Sequence, residues 1–365
     1  MNPYEPERLP LDQVDWAAHV TLIGQANAAL ARYDGMLQSI VNPAVLLSPL
    51  TTQEAVLSSR IEGTQPNMEE VLEYEADPGV SVESGKQFDI QEILNYRRAM
   101  AKAVKRLKER PLCLNLIKEL HIVLLDSARG RNRAPGEFRR IQNFIGPPGC
   151  TMETATFVPP SADRVGPGMD NLEKYLHAEE KDRLVQLAIA KAQFELIHPF
   201  LDGNGRIGRI LIPVFLFEKG LLSSPMFYLS SYLEEHRDEY YERLRAISRQ
   251  NDWNGWIRFF LTAVRDQAGI NAEKTRSIIA LHDRMKDEVP KAIRSQYTIK
   301  AIDAIFDRPV FRSADFAKRS KIPKESAYHI LSVLKKERII QDLRPGRGRR
   351  AAVLIFQQLI DITEK

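Results

Sequence analysis

The run of residues 198–209, HPFLDGNGRIGR, constrains the fold more strongly than any other part of this 365-residue chain. Pro199 disfavours helical geometry in the residue before it, so the helix that precedes the run should end near His198. Residues 202–205 are typical of a turn, because they combine Asp and Asn with two glycines. A strongly apolar segment follows from about residue 203 to 219 and predicts a second helix. The run therefore predicts two consecutive helices joined by a tight loop.

The same run carries the groups that would bind a nucleotide polyphosphate. Backbone N–H groups at a helix start attract anions, and glycines let that backbone approach phosphate oxygens closely. Arg206 and Arg209 are three residues apart, so they would share a helix face and could bind two phosphates. Asp202 suits a hard cation such as Mg²⁺, and the ordinary pKa of His198, about 6.5, suits a general base. The alternative is a capped helix start beside a structural histidine.

Composition and charge describe an ordinary globular chain. The apolar fraction is 44% and the charged fraction is 27%. No stretch reaches the roughly 20 apolar residues needed to span a bilayer. The N-terminal segment lacks the basic and apolar regions of a secretory signal, and Cys113 and Cys150 are too few for a disulfide scaffold. We therefore expect a cytoplasmic protein with no membrane contact.

Helical periodicity dominates the chain, so the expected fold class is mainly α. Residues 136–168 are rich in Pro and Gly with short β-type segments, which predicts a long loop or hairpin. The last hundred residues carry an excess of Lys and Arg, whereas the remainder is acidic, and this indicates a basic C-terminal module. Three regions are predicted: an N-terminal helical region (1–110), a core (111–268), and a linker helix with a C-terminal domain (269–365). The expected helices include 11–37, 51–64, 253–267 and 271–287.

Residues 198–209 match the signature HxFx[DE]GNGRxxR of Fic-domain proteins at every specified position. The resemblance covers roughly residues 50–265. It implies a Fic-type helical core with a β-hairpin flap at about residues 150–160. Three further segments resemble the family's approach to that flap: PGEFR (135–139), QNFIG (142–146) and TFVPP (156–160).

The resemblance implies a protein adenylyltransferase, which transfers AMP from ATP to a Ser, Thr or Tyr hydroxyl of a protein target, or of the chain itself, and releases pyrophosphate. It assigns His198 as the base and Asp202 as the residue that holds Mg²⁺ or Mn²⁺ on the phosphates. Another nucleotide donor stays open, because the anion site does not read the base. The implied phosphate-binding set is Gly203, Asn204, Gly205, Arg206 and Arg209. The flap residues that would pair with an extended target segment are Thr156, Phe157 and Val158.

Residues 58–63, SSRIEG, resemble the inhibitory motif [ST]xxxE[GN] of many Fic proteins, with Ser58 and Glu62 at its specified positions. Glu62 lies at the C-terminal end of a predicted helix, where the helix dipole disfavours a carboxylate. The resemblance pairs this glutamate with Arg209, so that the pair would take the place of the γ-phosphate and hold ATP unproductively. A solvated, salt-bridging glutamate is the alternative. Some relatives use the same glutamate to remove AMP, and that reverse activity stays open.

The C-terminal region has the element order of a winged-helix module, with a helix, a helix-turn-helix and a basic hairpin. Its recognition helix would span about residues 324–336. The candidate nucleic-acid contacts are Lys324, Arg347, Arg349 and Arg350, so DNA is a candidate partner. The alternatives are a substrate-docking or dimerisation module, which makes a homodimer a further candidate. A nucleotide-sensing, DNA-binding regulator is therefore the rival function, but an intact His198 favours the enzyme.

Overall fold

The computed structural model describes residues 2–79, 82–127, 129–147, 149–346 and 351–365. In these residues helices dominate beside one small antiparallel sheet, which confirms the mainly α class. No helix of the described ranges is both long and apolar enough to cross a membrane. The helices are α1 (Trp16–Ser39), α2 (Pro43–Leu46), α3 (Ser48–Ile61), α4 (Met68–Ala76), α5 (Ser84–Leu107), α6 (Leu114–Leu124), α7 (Ala162–His177), α8 (Arg183–Ile197), α9 (Asn204–Glu218), α10 (Ser230–Glu235), α11 (Arg237–Gln250), α12 (Trp253–Ile293), α13 (Thr298–Asp307), α14 (Ser313–Ser320), α15 (Lys324–Lys336) and α16 (Gln357–Glu364). The strands are β1 (Val310–Arg312), β2 (Gln341–Arg344) and β3 (Val353–Ile355).

Helices α8 and α9 form the centre of the core and hold the glycine-rich loop between them. Almost every residue of α8 is buried, and α9 is buried on all its faces, as is typical of helices surrounded by others. Helix α9 packs against α3, α5, α6 and α8. The observed end of α8 at Ile197 and start of α9 at Asn204 lie within one residue of the predicted positions.

Helix α3 carries the predicted inhibitory motif and begins at Ser48, three residues before the predicted start at residue 51. The earlier start follows from Pro49, because proline fits the first turn of a helix, where its missing N–H costs nothing. The helix ends at Ile61, and Gly63 adopts a left-handed backbone with φ of +104°. Since α3 packs against α9, its C-terminal end brings Glu62 beside the start of α9.

Helix α12 is one continuous helix of 41 residues, so the prediction of two helices over 253–267 and 271–287 was wrong. Gly269 lies inside it, and an isolated glycine costs only about 1 kcal/mol in a helix interior. The buried face continues without interruption across that point, from Ala268 through Asn271 to Thr275. The predicted boundary between residues 268 and 269 therefore falls within a helix.

The C-terminal residues form a small antiparallel sheet in the order β1-β3-β2. Helix α14 packs against β1, and α13 and α15 pack against α14. Three arginines of this region form ion pairs with acidic residues at α4 and its C-terminal end. Arg308 pairs with Glu75 at 3.6 Å, and Arg312 pairs with Asp77 at 3.4 Å. Arg344 also pairs with Asp77. Part of the basic charge expected to face a polyanion is therefore neutralised within the chain.

The assignment of this region as a winged helix stays a prediction, and so does DNA binding. The predicted recognition helix coincides with α15. Its Lys324 is exposed and lies 5.9 Å from the centre of the Tyr328 ring. The predicted contacts Arg347, Arg349 and Arg350 lie outside the described residues.

Candidate active site between helices α8 and α9

The loop between α8 and α9 is fixed by its own backbone and by Asn204. His198 ends α8 in a left-handed conformation with φ of +50°, and its N–H donates to the Phe194 carbonyl at 3.1 Å. Gly203 precedes α9 with φ of +80°, a region that favours glycine. The buried Asn204 amide accepts from the Phe200 N–H and donates to the Phe200 carbonyl, both at 2.9 Å. In this arrangement Asn204 braces the loop that was predicted to bind phosphate.

The buried side chain of His121, in α6, supports the loop between α8 and α9. The His121 ring stacks on Phe200 at 3.8 Å between ring centres. Its Nδ1 accepts the Gly136 N–H at 2.9 Å, so its Nε2–H donates to the Asp202 carbonyl, also at 2.9 Å. Burial lowers the pKa of His121 to about 4. The residue is therefore a neutral structural support at neutral pH, and its sequence context, LIKELHIVLL, does not reveal that role.

Arg139 satisfies the backbone at the C-terminal end of α8. This buried side chain donates to the carbonyls of His198 at 2.9 Å, Pro160 at 2.5 Å, Ile197 at 3.3 Å and Ile141 at 3.2 Å. Burial lowers the pKa of Arg139 to about 10. A cation at a helix C-terminus also interacts favourably with the helix dipole. Arg139 therefore fixes the backbone from which His198 projects.

His198 lies in the wall of a cavity of about 600 Å³, a size usual for small-molecule sites. Burial lowers the pKa of His198 below its usual range, although the carboxylates of Glu195 and Glu62 pull it upward. The imidazole is therefore neutral at neutral pH and can accept a proton. Two segments of the chain contribute mainly apolar residues to the lining. One contributes Phe144, Ile145, Thr156 and Phe157, and the other contributes Tyr240, Tyr241, Leu244 and Arg245.

A buried ion pair lies under this cavity and was not predicted. Lys191 Nζ donates to Glu195 Oε1 at 2.6 Å and to the Tyr240 hydroxyl at 2.9 Å. Lys191 is inaccessible to solvent, whereas Glu195 lines the cavity. The signal in the sequence is a lysine inside the mainly apolar and buried helix α8, since a buried lysine needs an anionic partner. The α11 residues that line the cavity have no comparable signal in the sequence.

Glu62 occupies the predicted anion site at the start of α9. Its Oε1 accepts from Arg209 Nη2 at 2.5 Å, and the Arg209 side chain also donates to Ser58, from Nε to Oγ at 2.7 Å and from Nη2 to the carbonyl at 2.8 Å. A Cβ atom at position 205 would lie only 2.2 Å from the Glu62 carboxylate, so Gly205 is needed for this approach. Burial alone would raise the pKa of Glu62, but the charge and hydrogen bond of Arg209 lower it below its usual range. The structure thus brings Ser58, Glu62 and Arg209 together as expected, while their inhibitory role stays a prediction.

Arg206 and Arg209 bond to different helices, although the two were expected to share a face. Helix α9 lies between α3 and α5, so that Arg209 contacts α3 while Arg206 contacts Glu92 of α5 at 2.7 Å. Arg206 Nη2 also donates to Asp202 Oδ1 at 3.2 Å. The described lining of the cavity includes Gly205 and Arg209 but not Arg206. Phosphate binding by Arg206 stays a prediction.

Asp202 fits a divalent cation that arrives with a polyphosphate. Its Oδ1 accepts from the Gly203 N–H at 2.6 Å and from Arg206, while Oδ2 takes part in none of the hydrogen bonds found between described residues. Within those residues, no group of three or more His, Cys, Asp or Glu side chains could hold a metal ion. Mg²⁺ commonly binds through one or two carboxylates plus substrate phosphates and water. One carboxylate with a free oxygen is consistent with that mode.

The expected β-hairpin flap is reduced to one antiparallel bridge in the described residues. Ile145 N–H donates to the Phe157 carbonyl at 2.8 Å, and Phe157 N–H donates back at 3.0 Å. Pro159 cannot donate to a ladder, so regular pairing cannot continue past Val158. Val158 is buried and its carbonyl already accepts the Tyr4 N–H at 2.9 Å. Thr156 and Phe157 face the cavity, whereas Val158 is not free to pair with a target strand.

Two protein-family models match the sequence of this chain. The Fic/DOC family model matches residues 111–216, and the Fic/DOC family N-terminal model matches residues 20–105. The chain belongs to the Fic/DOC family.

Curated relatives match the chain over a limited segment. Proteins named protein adenylyltransferase Fic from Drosophila grimshawi and Culex quinquefasciatus are each 31% identical to it, over 156 and 127 residues. These alignments cover 40% and 34% of this chain, and 29% and 22% of those proteins. The chain therefore spans less than a third of the length of the curated relatives it matches.

Solved structures show the same fold. A Fic family protein from Desulfovibrio desulfuricans G20 aligns with a TM-score of 0.59 at 21% identity, over 97% of this chain and 98% of that one. Fic-1 from C. elegans (residues 134–508) aligns with a TM-score of 0.51 at 18% identity, over 70% and 72% of the two chains. The first likeness extends over nearly the whole chain, including the C-terminal residues.

Proposed function

We propose that this protein is an adenylyltransferase that transfers AMP from ATP to a hydroxyl side chain of a protein target, and that Glu62 holds it inactive. The observation that carries the proposal is the position of the Glu62 carboxylate. It lies against the backbone at the start of α9 and is bonded to Arg209, where a helix N-terminus and a buried arginine would otherwise bind a phosphate. A carboxylate in that place competes with the nucleotide for the same donors.

The neutral imidazole of His198 provides the base for the reaction. It removes the proton of a target Ser, Thr or Tyr hydroxyl, and the oxygen attacks the α-phosphorus of ATP. The bond from that phosphorus to the bridging oxygen of the β-phosphate breaks, pyrophosphate leaves, and the proton stays on His198. Arg209 and the backbone N–H groups at Gly205 stabilise charge on the phosphates once Glu62 has moved, since phosphoryl transfer depends mainly on positioning and charge stabilisation.

The remaining parts of the site fit the two substrates. The mainly apolar lining beside His198 suits a nucleoside. The acceptor segment would approach along Thr156 and Phe157, which also line the cavity. Asp202 would hold Mg²⁺ or Mn²⁺, which supplies charge neutralisation on the phosphates when bound. Curated relatives named adenylyltransferases support ATP as the donor.

A labelling experiment on the full chain tests the proposal. The Glu62→Gly protein is incubated with labelled ATP, GTP, UTP or CTP, and any modified protein is weighed by mass spectrometry. We expect a mass increase equal to AMP with ATP and much weaker labelling by the unaltered protein. Glu83→Gly is the matched control, because it removes an exposed glutamate from the same region of the chain. Adding His198→Ala to Glu62→Gly should abolish labelling.

Two results would contradict the proposal. Equal labelling by the unaltered and Glu62→Gly proteins would refute the inhibitory role of Glu62. A mass increase that differs from AMP would refute the reaction while leaving nucleotide use intact.

A further inference from the structure

Arg206 has an arrangement that the proposed reaction does not explain. Its side chain is only 4% exposed and bridges two carboxylates, through Nη1 to Glu92 Oε2 at 2.7 Å and through Nη2 to Asp202 Oδ1 at 3.2 Å. Glu92 is 17% exposed and comes from α5. That helix lies in the part of the chain matched by the N-terminal family model, whereas Arg206 lies in the part matched by the catalytic one.

The geometry fixes Asp202 from two directions. The Gly203 N–H and Arg206 both donate to Oδ1 of Asp202. Because Oδ1 is held by these two donors, the direction in which Oδ2 points is also fixed. Removing one charged partner from a buried guanidinium is strongly unfavourable, so Arg206 is held beside Asp202 most firmly when its Nη1 is also paired. Glu92 provides that pairing. The orientation of Asp202 therefore depends on Glu92, which bonds to Arg206, which in turn bonds to Asp202.

We propose that Glu92 is a positioning residue for the cation site: it holds Arg206 against Asp202 and so fixes the carboxylate that binds the divalent cation accompanying the nucleotide. This inference rests on the proposed function, since it assumes a nucleotide-borne cation at Asp202. It gives Arg206 an orienting role toward Asp202. Partners that orient a metal ligand typically change metal affinity 10- to 100-fold when they are lost.

Direct cation binding tests the inference without any AMP transfer. Mn²⁺ binding to the full-length Glu62→Gly protein is measured by electron paramagnetic resonance, with α,β-methylene-ATP present because its α-phosphorus cannot lose pyrophosphate. We expect Glu92→Gln to weaken Mn²⁺ binding by about tenfold or more. Binding of the same nucleotide in EDTA should be unchanged. Asp89→Asn is the matched control, because Asp89 lies one turn earlier on α5, is equally exposed, and pairs at 2.8 Å with the exposed Arg129.

A double variant separates positioning from a general structural effect. In an Asp202→Asn background, Glu92→Gln should cause no further loss of Mn²⁺ affinity, since the carboxylate that it orients is gone. An added loss there, or unchanged Mn²⁺ affinity in the Glu92→Gln single variant, would overturn the proposal. Tighter nucleotide binding by Glu92→Gln in EDTA would also overturn it, because it would show that Arg206 is a phosphate ligand that Glu92 restrains.

The failure of this inference can be told apart from the failure of the proposed function. If the parent protein binds no Mn²⁺ with the nucleotide, the cation role of Asp202 is refuted and the inference with it. The mass measurement on the Glu62→Gly protein judges AMP transfer independently of that result.

Discussion

Protonation of His121 should destabilise the fold, because this buried ring supports the loop that carries the site. At neutral pH its Nδ1 accepts the Gly136 N–H and its Nε2–H donates to the Asp202 carbonyl. A proton on Nδ1 would remove the acceptor and place a charge in a buried position. We expect this single residue to make the protein less stable in mild acid.

The magnitude follows from the two pKa values of His121. The unfolded chain has a value of about 6.5, and burial lowers the folded value to about 4. Because the folded pKa is depressed, the contribution to stability is fully present above pH 6.5 and is lost as the pH falls toward 4. Each pKa unit corresponds to about 1.4 kcal/mol. The whole contribution is therefore about 3 kcal/mol, of which about 2 kcal/mol is lost between pH 7 and pH 5.

The assay is urea unfolding followed by the fluorescence of the buried Trp253 and Trp256, at pH 7 and pH 5, for the unaltered protein and for His121→Gln. Glutamine keeps one donor and one acceptor but does not titrate. Comparing the two proteins removes the contribution of other groups such as Glu54, whose burial raises its pKa to about 7 and whose effect has the opposite sign. The unfolding free energy of the unaltered protein should fall by about 2 kcal/mol more than that of the variant. Equal pH dependence of the two proteins would refute the reasoning.

Two further predictions concern His198 and the backbone beside it. Burial lowers the pKa of His198 below its usual range. The labelling rate of the Glu62→Gly protein should therefore rise with pH, and the midpoint of this rise should lie below about pH 6.5. A midpoint above that value in a pH–rate profile would contradict a neutral base. Arg139→Met should lower the unfolding free energy by about 3 kcal/mol or more, because it leaves buried carbonyls without donors, and Arg139→Lys should recover part of the loss. Urea unfolding measures both variants, and stability equal to that of the unaltered protein would show that those carbonyls find other partners.

The local structure of residues 198–209 could be predicted because its determinants are local. Pro199 and the two glycines act on their immediate neighbours, and the observed helix ends lie within one residue of the expected ones. The contact between Glu62 and Arg209 joins residues 147 positions apart. No local pattern predicts such a pairing, and it came from the resemblance of both segments to one family. The residues alone indicated only that Glu62, at the C-terminal end of a predicted helix, would need a partner.

The parts that could not be predicted depend on which helices surround α9. Spacing placed Arg206 and Arg209 on one face, but α9 is buried on all sides and the two arginines contact different helices. The same limit applies to His121 and Arg139, whose partners are backbone groups from distant segments. In α12 the tertiary context also outweighed a local signal, because continuous burial compensates the cost of Gly269.

Helix α5 and the C-terminal end of α3 each contribute one carboxylate to an arginine of the motif, and the two pairs should have opposite effects on activity. Glu62 bonds to Arg209 in the cavity wall, so on the proposed function removing it frees donors for the nucleotide. Glu92 bonds to Arg206, which is not among the described lining residues and which contacts Asp202, so removing Glu92 should loosen the proposed cation site. Glu62→Gly should therefore raise labelling, and Glu92→Gln in that background should lower it at limiting cation. An increase in both cases would show that the N-terminal region acts only as an inhibitor.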